Sequence, residues 1–186
     1  MLEVTGFEEM PFNFRLKNFN LRLNDIDLVC GWLVDSHIFC PGDAYPAYKC
    51  DIGITASPHE IGTHLCHGAT SNIKIMCETP WSCSQYLGFG SLEQKRDLYR
   101  SSTLVLVDTL AEAVRVAACG SVPVSIGPEF EDSEFARHCL RAETMEDVLR
   151  YLKVKQYQRA SRANLSQCLE GHSYDDALKD LLEEVK

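Results

Sequence analysis

The sequence lacks long apolar runs and has no excess of positive charge. Its apolar stretches are far shorter than the roughly 18–20 residues that a membrane-spanning helix needs, so we expect no membrane span. The 186 residues carry 18 lysines and arginines against 27 aspartates and glutamates, a net charge of −9 at pH 7. Because affinity for duplex nucleic acid comes mainly from basic contacts to phosphate, this balance argues against such a partner.

Several short catalytic motifs are also missing. There is no GxGxxG motif, no phosphate-loop lysine motif and no GxSxG turn for a nucleophilic serine. The histidine-rich stretch PHEIGTHLCH does not have the HExxH spacing of a zinc site, because its first two histidines are five residues apart. We therefore expect no metal and no resident cofactor.

What the sequence does have is an unusual number of cysteines, nine in all. The count is odd, no CxxC pair occurs, and several of the cysteines lie inside apolar stretches. The acidic first ten residues, MLEVTGFEEM, lack the basic and apolar regions of a secretion signal. These features indicate reduced, buried thiols in a cytoplasmic protein, where structural disulfides are rare.

The hydrophobic pattern divides the chain at about residue 49. Residues 12–23 alternate between apolar and polar side chains around Lys17 and Asn18, which predicts a β-hairpin, and residues 26–34 read as a buried strand. A turn-rich connector follows at 40–49. We therefore predict an N-terminal hairpin and connector over 1–49 and a second domain over 50–186.

From residue 50 onward, short apolar strands alternate with helices. Serine or threonine at expected helix starts, followed three residues later by an acid or an amide, indicates N-terminal caps, as in Ser91, Thr109 and Thr144. Ser57 followed by proline predicts a further helix start. The predicted strands are 51–55, 72–77, 85–89, 104–107, 122–126 and 138–142. After the first predicted helix, one helix begins at Ser91, and others run over 109–120, 132–137, 144–158, 161–169 and 174–185.

This alternation predicts an α/β fold with a parallel, Rossmann-like sheet and helices on both faces. Ligands of such folds bind at the carboxyl ends of the strands, where loops lead into helix N-termini. The clearest example is the strand LVLV followed by Asp108 and Thr109. The free amides of Leu110 and Ala111 would suit a pyrophosphate there, although Asp108 and Thr109 could equally serve only as helix caps.

From about Trp32 onward the chain resembles the C-terminal, nucleotide-sugar-binding half of GT-B glycosyltransferases, and within them the CgeB-like group. The stretches that carry the resemblance are VDSHIFCPGD, YKCDIGITASPHE, IKIMCETPW, YLGFGSLEQKRDLYRSSTLVLV, AEAVRVAACGSVPVSIGPEFED and GHSYDDALKDLLEEV. The resemblance implies a single half of a GT-B fold, with a nucleotide-diphosphate sugar as the donor substrate. It implies metal-independent transfer of the sugar to an acceptor hydroxyl.

The resemblance also implies where the donor would bind. The loop after the first strand and the helix start after LVLV would hold the diphosphate, and the stretches with the tryptophan and with GFGS would line the nucleoside pocket. The candidate donor-binding residues are Thr55, Ser57, Trp81, Gly88, Asp108, Thr109, Glu112 and Arg115.

Two departures from the family pattern keep alternatives open. Arg115 stands where the family has a glutamate that holds the donor ribose; Glu112, one helical turn away, could replace it. Only about 30 residues precede the match, too few for the acceptor half, so an acceptor-domain protein or a second copy of the chain would have to complete an enzyme. The alternatives are a non-catalytic module of the same fold that binds a nucleotide or a protein, and an unrelated small-molecule enzyme on a flavodoxin-like sheet.

Overall fold

The computed structural model describes residues 3–5, 19–23, 26–30, 34–68, 72–126, 134–170, 173, 175–176 and 179. The chain divides into two compact units. One consists of Met1–Asp35 together with Gly171–Lys186, and the other is Ser36–Glu170. The boundary expected between residues 49 and 50 lies inside the second unit.

The first unit contains a three-stranded antiparallel sheet. Its strands are β1 (Glu3–Thr5), β2 (Phe19–Leu23) and β3 (Ile26–Cys30), in the order β1-β2-β3. Strand β2 covers the second half of the predicted hairpin, but it pairs with β1 and β3. The other half of that hairpin, residues 12–16, lies outside the described residues.

The second unit contains a five-stranded parallel sheet, as the alternating pattern predicts. Its order is β5-β4-β6-β7-β8, and every neighbouring pair is parallel. The strands are β4 (Cys50–Ile54), β5 (Ile73–Ile75), β6 (Ser102–Val107), β7 (Val122–Ile126) and β8 (Leu140–Ala142).

The predicted strand at 85–89 is present only as a single parallel bridge between Ile75 and Tyr86. Two backbone hydrogen bonds hold it: the Ile75 amide donates to Gln85 and the Leu87 amide donates to Ile75. Counting this bridge as a sixth position, the spatial order by sequence becomes 3-2-1-4-5-6. The five named strands alone have the order 2-1-3-4-5, and both orders belong to doubly wound sheets that bind ligands at the carboxyl edge.

Six helices are described in the second unit, with a short 3-10 turn at Pro46–Tyr48. None of the described helices is long and apolar enough to cross a lipid bilayer. The helices are α1 (Glu60–Gly68), α2 (Leu92–Ser101), α3 (Leu110–Ala118), α4 (Glu134–His138), α5 (Met145–Lys153) and α6 (Lys155–Leu169).

The core follows the period-two alternation of the strands. Ile52 and Ile54 of β4 and Leu104 and Leu106 of β6 are fully buried in one cluster with side chains of α1 and α5. The intervening residues of β6, such as Val105, are also fully buried and lie on the opposite face, against which α2 and α3 pack. Both faces of the sheet are thus covered, which explains the continuous apolar runs in the sequence.

Two predicted helix boundaries are wrong. The first helix begins at Glu60 and not after Ser57, because the Ser57 amide and carbonyl are engaged by side chains and hold the loop in a non-helical form. The helix predicted over 144–158 is interrupted at Val154, whose φ of −94° and ψ of 92° are extended. There the Gln158 side chain donates to the last carbonyls of α5, which ends that helix and starts the next.

The cysteines described in the second unit are all free thiols, and Cys50, Cys77 and Cys119 are buried. Burial raises the pKa of Cys119 to about 12 and that of Cys139 to about 12. A thiol with such a pKa is almost entirely protonated at neutral pH, and it is a poor nucleophile. These side chains therefore act as small hydrophobic residues, as the sequence predicts.

Candidate functional site

We define the crevice as the carboxyl edge of the parallel sheet at the point where β4 and β6 lie side by side. In the strand order, β5 lies on one side of β4 and β6 on the other, so the connections leave this point in opposite directions. A crevice at such a point is where doubly wound sheets bind ligands. The residues that follow β4 and β6 therefore form the candidate binding site.

Thr55 directly follows β4 at this edge. Its backbone amide donates to the Leu106 carbonyl, 3.1 Å away, which continues the β4–β6 ladder by one residue. Its side chain is only 7% exposed, and the hydroxyl oxygen Oγ1 has no hydrogen-bond partner among the described residues. Leaving a buried polar group unpaired costs about 1–3 kcal/mol, so such a group needs an explanation.

A hydrogen bond joins the loop after β4 to the loop after β6. The Ser57 amide donates to Oδ2 of Asp108, with a distance of 2.9 Å between the two atoms. Both residues were candidates from the sequence, and the structure brings them into direct contact. The Asp108 carboxylate thereby holds the β4–α1 loop against the start of α3.

His59 lies on the same loop and packs against Trp81. Its Nδ1 lies 2.8 Å from the Ser57 carbonyl oxygen, and since a carbonyl only accepts, Nδ1 carries the proton. The other ring nitrogen, Nε2, is buried and has no partner among the described residues. Burial lowers the pKa of His59 below its usual 6.5, so the ring is neutral at physiological pH.

Trp81 closes the side of this loop. Its ring meets that of His59 edge to face, with the centroids 5.4 Å apart, and its Nε1 donates to the Ala56 carbonyl at 3.3 Å. Only a glycine fits at position 62, because a Cβ there would lie 2.2 Å from Cη2 of Trp81. Trp81 is 7% exposed, so its main contacts are with the protein itself.

The start of α3 has the predicted cap, but only half of the predicted capping box. The Thr109 hydroxyl accepts from the Glu112 amide at 3.3 Å. The amides of Leu110 and Ala111 belong to the first helical turn and have no acceptor inside the helix. The Glu112 carboxylate does not return to the cap residue, because other donors hold it.

Glu112 is the centre of a partly buried charge cluster between α2 and α3. Its carboxylate accepts from Lys95 Nζ at 3.4 Å, from Arg115 Nη1 at 2.9 Å, and from the Tyr99 hydroxyl. Burial, together with the adjacent Glu112 charge, raises the pKa of Tyr99 well above 10, so the phenol remains a donor. Glu112 therefore links the two helices.

Arg115 does not extend freely into the crevice. Besides its ion pair with Glu112, its guanidinium carbon lies 5.5 Å from the centroid of the Phe39 ring. The side chain is 31% exposed, so part of the guanidinium remains accessible. Arg115 and Glu112 thus neutralise one another one turn after the helix start.

The loop that leads into α2 presents an apolar tip at the same edge. Gly88 has a φ of +101°, a conformation that favours glycine, and the next residue, Phe89, is 64% exposed. Lys95 Nζ lies 5.6 Å from the centroid of the Phe89 ring. A Cβ at Gly90 would lie 2.1 Å from the Met76 sulfur, so close packing holds the loop against the end of β5.

Sequence reasoning did not select Lys95 or Tyr99 for this edge. Lys95 and Tyr99 lie four residues apart on α2 and so share one face of that helix, a spacing visible in the sequence. Nothing in the sequence indicated that Glu112 would be their common partner, because that contact depends on how α2 packs against α3. The loop after β7, residues 127–133, lies outside the described residues.

Comparison with solved structures shows a similarity of fold to a glycosyltransferase. No protein-family profile matches the sequence, and no curated protein matches it. The fold is similar to the crystal structure of a glycosyltransferase from Rickettsia africae ESF-5, with a TM-score of 0.56 and 10% sequence identity. The similarity covers 84% of this chain and 55% of that one, so this chain spans about half the length of its structural neighbour. The chain therefore has a glycosyltransferase-like, Rossmann-like α/β fold.

Proposed function

We propose that this chain is the donor-binding half of a GT-B glycosyltransferase of the CgeB-like kind, which holds a nucleotide-diphosphate sugar at the crevice between β4 and β6. The observation that carries the proposal is the Thr55 hydroxyl, which is buried and unpaired at the end of β4. A phosphate oxygen of a ligand in the crevice would give this hydroxyl its missing acceptor. The glycosyltransferase-like fold supports the proposal.

The start of α3 would hold the diphosphate. Its first-turn amides, which have no acceptor inside the helix, and the positive end of the helix dipole favour an anion at this position. Asp108 is next to this start, but its carboxylate accepts from the Ser57 amide and is turned to the neighbouring loop. In the reaction these amides would stabilise the leaving diphosphate while an acceptor hydroxyl attacks the anomeric carbon of the sugar.

A non-catalytic nucleotide-binding module is the second candidate. The observation that favours it is the Glu112 carboxylate, which already accepts from Lys95, Tyr99 and Arg115 and would have to release donors to bind ribose hydroxyls. The test adds UDP-glucose, GDP-mannose or ADP-glucose together with a complementing acceptor-domain protein. Binding of the sugar nucleotide without release of its nucleoside diphosphate would favour this second candidate.

The test of donor binding is the substitution Thr55→Val. We expect affinity for the sugar nucleotide, measured by calorimetric titration, to fall about tenfold, since one hydrogen bond to a charged group is lost. We expect the melting temperature without ligand to stay the same or rise, because the unpaired buried hydroxyl is removed.

The matched control is Thr103→Val, the same change within β6 and away from the carboxyl edge. It should leave the affinity for the sugar nucleotide unchanged. A fall in melting temperature of several degrees for Thr55→Val, with no change in affinity, would show that the hydroxyl has a structural partner and would reject the proposal. Absence of binding by the unsubstituted chain to all three sugar nucleotides would also reject it.

A further inference from the structure

The corner between α5 and α6 is a basic, exposed surface on an acidic chain. We define the corner patch as six residues: Arg150, Lys153, Val154, Lys155, Tyr157 and Arg159. Residues 148–169 contain five lysines and arginines and no aspartate or glutamate, although the chain as a whole has a net charge of −9. Residues 153–157 are all exposed in succession, so the corner protrudes from the surface.

The corner is held in one shape by hydrogen bonds. Nε2 of the buried Gln158 donates to the Tyr151 carbonyl at 2.8 Å and to the Leu152 carbonyl at 3.0 Å. The Val154 amide donates to the Arg150 carbonyl at 2.9 Å. Because these bonds fix the backbone on both sides of residue 154, the exposed side chains project from a rigid support.

Three of the cations in the corner patch have no ion pair with any residue that the structure describes: Lys153, Lys155 and Arg159. Lys155 and Arg159 lie one helical turn apart on the same side of α6. Arg150 pairs with Asp147 at 2.7 Å, and its guanidinium lies over the Tyr151 ring. The patch therefore has a surplus of positive charge that an anionic partner would neutralise.

Two exposed apolar side chains lie among these cations. Val154, between Lys153 and Lys155, is 40% exposed, and Tyr157 is 43% exposed, with its ring 5.5 Å from that of Tyr151. A nucleic-acid backbone offers no partner for an exposed aliphatic side chain flanked by lysines. The headgroup region of a bilayer does: it accepts the apolar groups while the lysine ammonium groups contact lipid phosphates.

We propose that the corner patch docks this protein on a membrane surface that contains anionic lipids. Lys153, Lys155 and Arg159 provide the electrostatic attraction, and Val154 and Tyr157 enter the headgroup region. Each basic residue close to such a surface strengthens binding about fivefold, so a few of them produce measurable association.

The corner patch is separate from the crevice between β4 and β6. The Tyr151 hydroxyl donates to the Arg141 carbonyl in β8 at 2.7 Å, so α5 folds back along the strand that precedes it. The C-terminal end of α5 therefore lies away from the carboxyl edge of the sheet. Docking by the corner would leave that edge accessible to ligands.

The test is co-sedimentation of the whole chain with vesicles of phosphatidylcholine alone or with about one third phosphatidylserine. We expect retention by the anionic vesicles only, and loss of that retention in 0.5 M salt, because surface attraction is screened within a few ångströms at that ionic strength. Lys155→Glu should weaken binding about tenfold or more. The matched control, Lys49→Glu, makes the same charge change at an exposed position elsewhere and should weaken it much less.

The apolar contribution is tested by Tyr157→Ala against Tyr45→Ala, since each residue is the exposed member of a tyrosine pair. Only Tyr157→Ala should reduce retention. Lys153→Glu is a second charge variant, and circular dichroism checks that each variant folds. Equal retention by neutral and anionic vesicles, equal losses for Lys155→Glu and Lys49→Glu, or binding to RNA without retention by vesicles would each overturn the proposal.

Discussion

At the scale of single residues, the carboxyl edge is defined by polar groups whose partners are far apart in the chain. Ser57 and Asp108 are 51 residues apart and share a hydrogen bond, and Tyr99 and Glu112 belong to different helices. The Tyr99 hydroxyl would otherwise be buried without a partner, whereas the Ser57–Asp108 bond lies at the surface and joins two loops. Among the residues that the structure describes, the buried side-chain atoms without a partner are the Thr55 hydroxyl and His59 Nε2, and both belong to the same loop.

The Glu112 cluster predicts that removing the negative charge of Glu112 lowers the stability of the fold. Glu112→Gln leaves the ammonium of Lys95 and the guanidinium of Arg115 without their counter-charge in a site where the glutamate is 12% exposed. We expect the free energy of unfolding to fall by about 2 kcal/mol, measured by urea denaturation at pH 7. Glu143→Gln, at a side chain that is 75% exposed, should change it by less than about 0.5 kcal/mol. Equal effects of the two substitutions would contradict this role of Glu112.

His59 predicts part of the acid sensitivity of the fold. Burial lowers its pKa in the folded state below the unfolded value of about 6.5, so the unfolded chain binds more protons as the pH falls. The contribution of the neutral ring is therefore complete above about pH 6.5 and is lost towards lower pH. His59→Gln should show a smaller fall in melting temperature between pH 7.5 and 5.5 than the unsubstituted chain. His64→Gln, the same substitution at an exposed position on α1, is the matched control.

At the scale of helices and strands, local signals in the sequence identify most starts correctly. Ser91, Thr109 and Thr144 cap α2, α3 and α5 as predicted, and Ser91 and Thr144 form complete capping boxes. These signals work because a cap involves only residues three apart. The start of α1 was predicted too early because the Ser57 amide is bound by Asp108, a residue 51 positions away in the loop after β6.

The cap of α5 provides a direct test at this scale. Thr144→Ala removes the acceptor for the Asp147 amide and one donor to the Asp147 carboxylate. We expect a loss of about 1 kcal/mol in the free energy of unfolding, measured by thermal or urea denaturation. Ser166→Ala, a change at an exposed position inside α6, should be neutral or slightly stabilising, because alanine favours helix interiors. A loss as large as that of Thr144→Ala would show that the cap is not the cause.

Tertiary contacts determine where the less well predicted strands and helices begin and end. The strand expected at 85–89 is reduced to one bridge at Tyr86, because Gly88 turns the chain away immediately afterwards. Pro123 has no amide hydrogen to donate to a neighbouring strand, so it is confined to a strand edge or a strand start. It lies at the start of β7, where β8 is not yet alongside, since the β7–β8 pairing begins at Val124. The interruption at Val154 depends on the Gln158 side chain and has no strong local signal.

At the scale of the whole molecule, the parallel sheet and its helices form a unit of typical domain size. The unit Ser36–Glu170 contains the sheet, the crevice and the corner patch. The family resemblance identified the correct fold class, because the order of strands and helices persists at an identity as low as 10%. The donor site could not be derived with the same certainty, because Arg115 replaces the residue that the family pattern requires.

A shortened chain tests this division. We expect residues 36–170 expressed alone to unfold in a single cooperative transition and to have a circular dichroism spectrum typical of an α/β protein. They should also bind sugar nucleotides as the whole chain does, if the proposed function is correct. A chain shortened to residues 50–170, which lacks Phe39 under Arg115 and the Cys40 carbonyl that accepts from Arg100, should be clearly less stable. A non-cooperative transition of the 36–170 chain would contradict the division into units.

The order of the strands also affects the chain during its synthesis. β6, α3 and β7 follow one another between Ser102 and Ile126 and can associate as soon as they leave the ribosome. β4 must wait, since Cys50 pairs with Ser102, 52 residues later. At 5–20 residues per second this delay lasts roughly 3–10 seconds. During that interval one edge of an apolar strand is exposed, and nascent chains that stop before Ser102 would keep it exposed and aggregate.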